Sequence, residues 1–247
     1  MDNLKDKVVL VTGSARRVGA ETIRVLHADG ANVVVHYRSS SAEAEALNSK
    51  LNILREGSCM TVQGDLTDIK NLANIIDTVI KTMGKLDVLV NNASTFYPTP
   101  VGDITEDNWD DLMGSNLKAP LFLSQLVAPY LKSTQGCIVN IVDVHGFRPM
   151  KNYPVYSVAK AGLLMLTQSL ARELGPDVRV NGVAPGAILW PEEDENQSDK
   201  DVLLAKTALK REGSPNDIAK AILFLVRDAD YITGQVIPID GGRMLNH

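Results

Sequence analysis

The feature that most limits how this chain can fold is the alternation of apolar runs and helical patterns along its 247 residues. Seven runs are almost continuously apolar and rich in β-branched residues, which is typical of strands buried on both faces. They cover Lys7–Thr12, Asn32–His36, Cys59–Gly64, Leu86–Val90, Cys137–Val142, Val178–Val183 and Gln235–Ile239. Helical patterns lie between them, near residues 18–29, 41–55, 69–83, 106–132, 153–174 and 215–227.

This alternation predicts an α/β fold in which parallel strands are joined by right-handed crossovers. We therefore expect a Rossmann-like, doubly wound parallel sheet of seven strands with helices on both faces. No linker, repeat or low-complexity segment interrupts the pattern, so residues 1–247 are expected to form a single domain.

Charge and hydropathy exclude several classes of partner. The net charge is −5 and no basic block is present, which argues against nucleic acid. The richest apolar stretch, residues 117–131, is interrupted by polar side chains and is shorter than the roughly 18 apolar residues that indicate a membrane span. Cys59 and Cys137 have no metal-ligand spacing and read as core residues, so no metal is expected. With no signal-peptide pattern before the first strand, we expect a cytoplasmic protein.

A glycine loop follows the first strand. Gly13 and Gly19 bracket Ser14-Ala15-Arg16-Arg17-Val18, between a strand and a helix. A glycine there lets the backbone approach a pyrophosphate, and the helix N-terminus offers free N–H donors. Arg17 stands where a middle glycine is common, so its guanidinium is expected to face the phosphates or the reacting ring.

The end of the second strand predicts which dinucleotide binds. A carboxylate at this place binds the ribose 2′-hydroxyl in many dinucleotide folds, but here the strand ends His36-Tyr37-Arg38-Ser39-Ser40. Because guanidinium and phosphate pair well, Arg38 favours a 2′-phosphate and hence NADPH. Asp65, after the third strand, could cap an adenine amino group or cap its own turn.

Tyr156 and Lys160 lie four residues apart on one face of a predicted helix. The ammonium group is expected to lower the pKa of the phenol and so suit it to proton transfer. Asn116 precedes Pro120 by four residues, and because proline has no N–H, the Asn116 carbonyl would lack its helical partner. That carbonyl could bind water at the active site, or the proline could simply kink the helix.

Taken together, these motifs resemble the successive landmarks of the short-chain dehydrogenase/reductase family over nearly the whole chain. The landmarks are Thr12-Gly13, Asn91-Asn92-Ala93, Asn116, Tyr156-x-x-x-Lys160, Pro185-Gly186 and Asp240-Gly241-Gly242. The resemblance implies that Tyr156 is the catalytic acid/base and that Lys160 binds the nicotinamide ribose and assists Tyr156. It also implies that Asn116 holds a water molecule of a proton relay. The cofactor-binding residues expected on both grounds are Gly13, Arg17, Val18, Tyr37, Arg38, Ser39, Asp65, Leu66, Asn91, Ala93, Ser94, Lys160, Pro185 and Gly186.

Two departures from the general family pattern resemble its pteridine reductase branch. The position thirteen residues before the tyrosine, commonly serine, is Asp143, and the segment from Asn91 to Pro100 is similar to that branch, as are Arg17 and His36-Tyr37-Arg38-Ser39. The resemblance implies that the pterin ring lies between Phe96 and the nicotinamide and that Ser94 and Arg17 contact it. The expected catalytic residues are Asp143, Tyr156, Lys160 and Asn116, and the expected substrate contacts are Arg17, Ser94, Phe96, Asp143, Tyr156 and Trp190.

The chemistry of Asp143 supports this interpretation. A serine can donate a hydrogen bond to a carbonyl oxygen, whereas an ionised carboxylate only accepts hydrogen bonds and repels that oxygen. The carboxylate suits a substrate that presents N–H groups and takes up a proton on a ring nitrogen. An aromatic platform at Phe96 fits a flat heterocycle, so the expected substrate is an oxidised or dihydro pterin, or dihydrofolate.

Two other functions remain open. The chain could be a carbonyl reductase, for example of 3-oxoacyl thioesters, that tolerates Asp143, or a non-catalytic NADP-sensing module that kept the fold. Activity on ketones but not pterins would select the first, and intact Tyr156, Lys160 and Asn116 weigh against the second. The acidic tract Glu192–Glu195 is expected to be a solvated loop. The family resemblance also implies a homotetramer, which the small residues Ala159, Ala161 and Gly162 would permit.

Overall fold

The computed structural model describes residues 4–188 and 207–245, and within them seven strands form one sheet. The strands are β1 (Val8–Val11), β2 (Asn32–Tyr37), β3 (Cys59–Gln63), β4 (Val88–Asn91), β5 (Cys137–Ile141), β6 (Arg179–Pro185) and β7 (Val236–Ile239). Their order is β3-β2-β1-β4-β5-β6-β7, and every neighbouring pair is parallel. The predicted Rossmann-like, doubly wound sheet is confirmed.

Helices cover both faces of the sheet. They are α1 (Arg17–Ala28), α2 (Ser41–Leu54), α3 (Leu72–Met83), α4 (Glu106–Met113), α5 (Ala119–Thr134), α6 (Pro154–Leu174) and α7 (Pro215–Arg227). Apolar side chains of α1, α2 and α7 share one core with Val9 and Val11, whereas α3 and α5 share the other with Val8 and Leu10. This alternation along β1 follows from the two-residue period of a strand, and it explains why both faces of each strand read as apolar.

The stretch predicted as one helix over residues 106–132 is divided in two. Between α4 and α5 the chain makes a π-helical turn over Gly114–Lys118, and Pro120 is the second residue of α5. Proline supplies no N–H to the preceding turn, and π turns of this kind recur at functional sites. The proline therefore changes the helical pitch at Asn116.

The remaining boundaries agree with the sequence patterns to within a few residues. A 3₁₀ turn over Ile69–Asn71 precedes α3, and Cys59 and Cys137 are buried and unpaired as expected. Among the described residues, no helix has both the length and the apolar character needed to span a membrane.

Strand order determines where a ligand can lie. β1 pairs with β2 on one side and with β4 on the other, so the crossovers leave β1 in opposite directions. In open α/β sheets the crevice at such a switch point lies beyond the carboxyl ends of the strands. The loops that follow β1 to β5 therefore lie at the same edge of the sheet.

Candidate active site

The glycine loop after β1 is held tightly against the segment that follows β4. Thr12 Oγ1 accepts hydrogen bonds from the backbone N–H groups of Asn92, at 2.9 Å, and Ala93, at 3.0 Å. Asn92 Nδ2 donates to the carbonyl oxygens of Thr12, at 2.8 Å, and Gly13, at 3.0 Å. Gly13 has φ +59°, and a Cβ there would lie 2.9 Å from the Ala93 Cα, so both conformation and space require glycine.

The N-terminus of α1 lies at this loop and has the features that suit an anion. The residue before the helix, Arg16, makes no side-chain capping hydrogen bond, and the first turn holds no acidic residue. Free N–H donors and the helix dipole favour a phosphate at such a place. Arg17 lies here with φ +53°, the left-handed conformation that favours glycine, which accounts for the glycine common at this position.

His36 anchors the same loop, a role that the sequence analysis missed. The buried imidazole accepts a hydrogen bond from the Gly13 N–H through Nδ1, at 3.0 Å, and donates from Nε2 to the Gly64 carbonyl, at 3.2 Å. These partners assign the neutral tautomer. Burial lowers the pKa of His36 to about 4, although the Gly64 carbonyl and the Asp65 charge act in the opposite direction. A histidine inside an otherwise apolar strand was the available signal.

A cleft of about 480 Å³ opens in front of this loop. Of the predicted cofactor-binding residues, its lining includes Gly13, Arg17, Val18, Tyr37, Arg38, Ser39, Asp65, Leu66, Ala93 and Ser94. Phe96, the predicted substrate platform, lines it too. The loops after β1, β2, β3 and β4 thus contribute to one surface, as the parallel sheet requires.

Arg38 and Asp65 are neighbours in the lining of this cleft. Their charged atoms, Nη1 and Oδ2, are 4.0 Å apart, and both side chains are largely open to solvent. Asp65 Oδ1 accepts hydrogen bonds from the backbone N–H of Thr67, at 2.9 Å, and from its hydroxyl, at 2.7 Å. Burial tends to raise the pKa of Asp65, but these bonds and the Arg38 charge lower it overall. The turn-capping role foreseen for Asp65 is therefore present.

Four predicted cofactor-binding residues do not line the cleft. Asn91 is 3% exposed and donates from Nδ2 to Asn140 Oδ1, at 2.8 Å, while its own Oδ1 has no hydrogen-bond partner within the described residues. Pro185 ends β6, and Gly186 donates its N–H to the Ile239 carbonyl, at 3.1 Å. Lys160 is buried beneath the site. Trp190 and the Glu192–Glu195 tract lie outside the described residues.

Tyr156 donates its hydroxyl to Asp143 Oδ2, at 2.9 Å. Asp143 follows β5, and its other oxygen accepts the His145 N–H at 2.8 Å, which caps a 3₁₀ turn over Val144–Gly146. Lys160 donates to the Ile141 carbonyl at 3.0 Å, and its Nζ lies 5.6 Å from the centre of the Tyr156 ring. Asp143, Tyr156 and Lys160 are thus brought together in space.

The expectation that Lys160 lowers the pKa of Tyr156 is wrong in this structure. Burial raises the pKa of Tyr156 well above its ordinary value, and the charge and hydrogen bond of Asp143 raise it further. Lys160 is turned towards the Ile141 carbonyl, and burial lowers its own pKa to about 8. Burial and the contacting carboxylate thus keep the phenol protonated, although a hydrogen bond with Ser94 acts in the opposite direction on its pKa.

Asn116 reaches the site through Ser94. Its Oδ1 accepts the Ser94 hydroxyl at 2.6 Å, and its Nδ2 donates to the carbonyl oxygens of Thr95 and Leu112, both at 3.0 Å. The side chain therefore ties the π-helical turn to the segment after β4. The described hydrogen bonds of Asn116 do not include Tyr156 or Lys160.

Phe96 lies beside Tyr156 and is 44% exposed, so it is not a core residue. The two rings meet edge to face, with centroids 4.8 Å apart and planes at 77°. Tyr153, which the sequence analysis did not select, stacks on Phe96. The site therefore combines a helix N-terminus without an acidic residue in its first turn, a guanidinium, a phenol with a raised pKa and an exposed aromatic face. Within residues 4–188 and 207–245, no cluster of His, Cys, Asp or Glu side chains is arranged to hold a metal ion.

Comparison with known proteins gives similarity over nearly the whole chain. A family model described as Enoyl-(Acyl carrier protein) reductase matches residues 13–243. Pteridine reductase 1 of Leishmania tarentolae is 35% identical, with 96% of each chain covered. A 3-oxoacyl-(acyl-carrier-protein) reductase of Thermotoga maritima is 34% identical, with 98% of this chain and 99% of that protein covered. These nearly equal identities leave the substrate to be argued from the site.

A solved structure supports the same grouping. The crystal structure of a blue fluorescent protein from a metagenomic library, in complex with NADPH, superposes with a TM-score of 0.91. It is 33% identical in sequence, and the match covers 98% of this chain and 99% of that one.

The buried imidazole of His36 predicts a pH dependence of stability. The unfolded chain binds a proton on this imidazole near its ordinary pKa of 6.5, but the folded chain binds it only near pH 4. The free energy of unfolding should therefore fall as the pH is lowered from 6.5 to 4, whereas above pH 6.5 the contribution of His36 is complete and no longer changes with pH. His36→Gln keeps a hydrogen-bond acceptor and a donor but does not titrate. Urea unfolding should therefore show a smaller decrease in the free energy of unfolding at acid pH for this variant. Identical pH profiles for the two proteins would contradict the assigned role.

Proposed function

The chain belongs to the short-chain dehydrogenase/reductase family, and on that premise we propose that it is an NADPH-dependent reductase of pteridines. Membership makes it an NAD(P)H-dependent oxidoreductase. The finer proposal is that hydride goes to a C=N bond of an oxidised or dihydro pterin, or of dihydrofolate. We treat residues 1–247 as one NADP-binding domain.

The observation that carries the proposal is the hydrogen bond from Tyr156 to Asp143, at 2.9 Å. A carboxylate beside the proton donor accepts hydrogen bonds and would repel a substrate carbonyl oxygen. It would instead attract the N–H groups that a pterin presents. The electrostatics at this position therefore favour a nitrogen heterocycle over a ketone.

The residues of the cleft fit NADPH. The uncapped start of α1 and the close approach that Gly13 permits suit a pyrophosphate, and Arg38 with Ser39 suits a 2′-phosphate. When bound, NADPH supplies the hydride. We propose that the nicotinamide end of the cofactor is bound near Lys160, Asn91, Pro185 and Gly186. Asn91 is buried, so it would act from beneath the surface of the cleft.

Tyr156 is the proposed proton donor. Its raised pKa keeps the phenol protonated until a substrate nitrogen takes the proton, as a reductase requires. The resulting phenolate lies beside the Asp143 carboxylate, and this repulsion favours rapid return of a solvent proton to the phenol. Lys160, with a pKa of about 8, still carries charge at neutral pH and balances the phenolate.

Phe96 and Ser94 are the proposed substrate contacts after β4. Both line the cleft, and the exposed face of Phe96 offers a flat heterocycle a surface on which to stack. Arg17 lines the same cleft and is proposed to bridge phosphate and substrate. Trp190 is also proposed to contact the substrate, on the basis of the sequence alone.

A carbonyl reductase is the second candidate, because a 3-oxoacyl-(acyl-carrier-protein) reductase is almost as similar in sequence. The pair Tyr156 and Lys160 would serve that chemistry equally well. Asp143 does not suit carbonyl reduction, because an ionised carboxylate cannot donate the hydrogen bond that a carbonyl oxygen needs. The further alternative of a non-catalytic NADP sensor would be eliminated by any turnover.

We also propose a cytoplasmic homotetramer. The exposed apolar side chains Val158 and Met165 on α6 support a helix-mediated contact between copies. Of the small residues on this helix, Gly162 already serves the monomer, because a Cβ there would lie 2.7 Å from Leu117 Cδ2 of the same chain.

The first prediction from this proposal concerns the cofactor. Arg38→Asp replaces the guanidinium with a carboxylate and should raise the Kd for NADPH roughly tenfold or more, with the preference over NADH narrowed or reversed. Lys81→Asp makes the same charge change at an exposed position of α3 and should leave the Kd unchanged. Fluorescence titration of both cofactors measures the effect. Equal use of NADH and NADPH by the unaltered protein would refute the phosphate assignment.

The second prediction tests the substrate class. Asp143→Ser restores the donor that carbonyl chemistry uses, so pterin turnover should fall while ketone turnover does not. Asp143→Asn, which keeps an acceptor without charge, should lose less pterin activity than Asp143→Ser. Tyr156→Phe removes the proton donor and serves as the reference, with an expected decrease of about 10²–10⁴ in kcat. Initial rates of NADPH oxidation give these values, and Kd for NADPH should stay constant. Pterin reduction by Asp143→Ser at the native rate would remove the main support for the proposal.

A further inference from the structure

Phe96 and Tyr153 form a stacked aromatic pair beside the active site. Their ring centroids are 4.7 Å apart and their planes differ by 15°, within the range of favourable offset stacking. Phe96 follows β4 and Tyr153 precedes the first residue of α6, so the contact joins two distant parts of the chain. Nothing in the chemistry proposed for Tyr156 requires this pair.

Phe96 is restrained from two directions. Tyr153 covers one of its faces, and Tyr156 meets it at 77° with centroids 4.8 Å apart. Tyr153 and Tyr156 are three residues apart at the start of α6, a spacing that brings side chains to the same side of a helix. The stacking partner of Phe96 therefore directly precedes the helix whose first turn carries the proton donor.

The backbone around Tyr153 is itself held in place. Its N–H donates to the Met150 carbonyl at 3.2 Å, and its carbonyl accepts the Ser157 N–H at 3.0 Å. The preceding residue, Asn152, accepts the N–H of the buried Thr99 at 2.7 Å, which links this loop to the segment that carries Phe96. Both rings of the pair are thus anchored by the same junction.

We propose that Tyr153 is a positioning residue for the substrate, an inference that rests on the proposed function. A flat ring has two faces, and Tyr153 occupies one face of Phe96. Phe96 lines the described cleft together with Ser94 and Thr95, whereas Tyr153 does not. The face of Phe96 opposite Tyr153 is accordingly the one that a planar substrate takes, as the third ring of a stack.

This arrangement selects substrates by shape. A planar heterocycle binds more tightly when the tilt of the Phe96 ring is already fixed, because less conformational entropy is then lost on binding. A flexible ketone does not use the platform and gains nothing from its tilt. Tyr153 therefore contributes to specificity without touching the substrate.

The stack is tested directly by ¹⁹F NMR. The chain has four phenylalanines, so labelling with 4-fluorophenylalanine gives four signals, and Phe96→Leu identifies that of Phe96. Tyr153→Leu should shift the Phe96 signal clearly, because the ring current of the stacked partner is lost, whereas Tyr153→Phe should shift it far less. Phe122 and Phe224 serve as internal controls. A Phe96 signal unmoved by Tyr153→Leu would overturn the proposal whatever the enzyme's substrate is.

Kinetics test the consequence for substrate. Tyr153→Leu should raise KM for a dihydropterin roughly 2- to 10-fold, the range expected for loss of one aromatic pair, with kcat and the Kd for NADPH nearly unchanged. Tyr153→Phe should restore the native KM. Equal KM for Tyr153→Leu and the native enzyme would overturn the positioning role. If the native enzyme reduces no pterin, the proposed function fails while the NMR result still decides the stack. If thermal melting shows that the Tyr153→Leu variant is not folded, the Tyr153→Met variant is used in the same two experiments.

Discussion

Parallel pairing of seven strands is the constraint on which the rest of the structure depends. Because the strands all run in one direction, their carboxyl ends meet at one edge of the sheet. The glycine loop follows β1, Arg38 follows β2, Asp65 follows β3, Phe96 follows β4 and Asp143 follows β5. Residues far apart in sequence are thus brought to one edge of the sheet by its topology.

Within that frame, burial decides the protonation states. His36 stays neutral because its imidazole is buried, and in that form it accepts from Gly13 and donates to Gly64. Tyr156 stays protonated because it is buried against a carboxylate. Lys160 loses basicity for the same reason but remains charged at neutral pH. The site therefore stores a proton where a reductase must deliver one, and keeps its phosphate loop rigid.

The sequence predicted the sheet and its cleft because strand periodicity and glycine positions are local properties. It failed where a contact across the fold decides the outcome. The spacing of Tyr156 and Lys160 was correct, but burial of the phenol against Asp143 raises its pKa, whereas proximity to Lys160 had predicted a lower one. Likewise, the roles of His36 and Tyr153 depend on partners 23 and 57 residues away, Gly13 and Phe96, which periodicity does not reveal.

The central claim is that this site reduces a nitrogen heterocycle and not a ketone. It is tested most directly by NADPH oxidation with the unaltered protein, comparing kcat/KM for a dihydropterin with that for an acetoacetyl thioester. Since a carboxylate at Asp143 disfavours a carbonyl oxygen, we expect the dihydropterin to be preferred by at least roughly a hundredfold, about 2.7 kcal/mol in transition-state free energy. A kcat/KM that is equal or higher for the thioester would contradict the account.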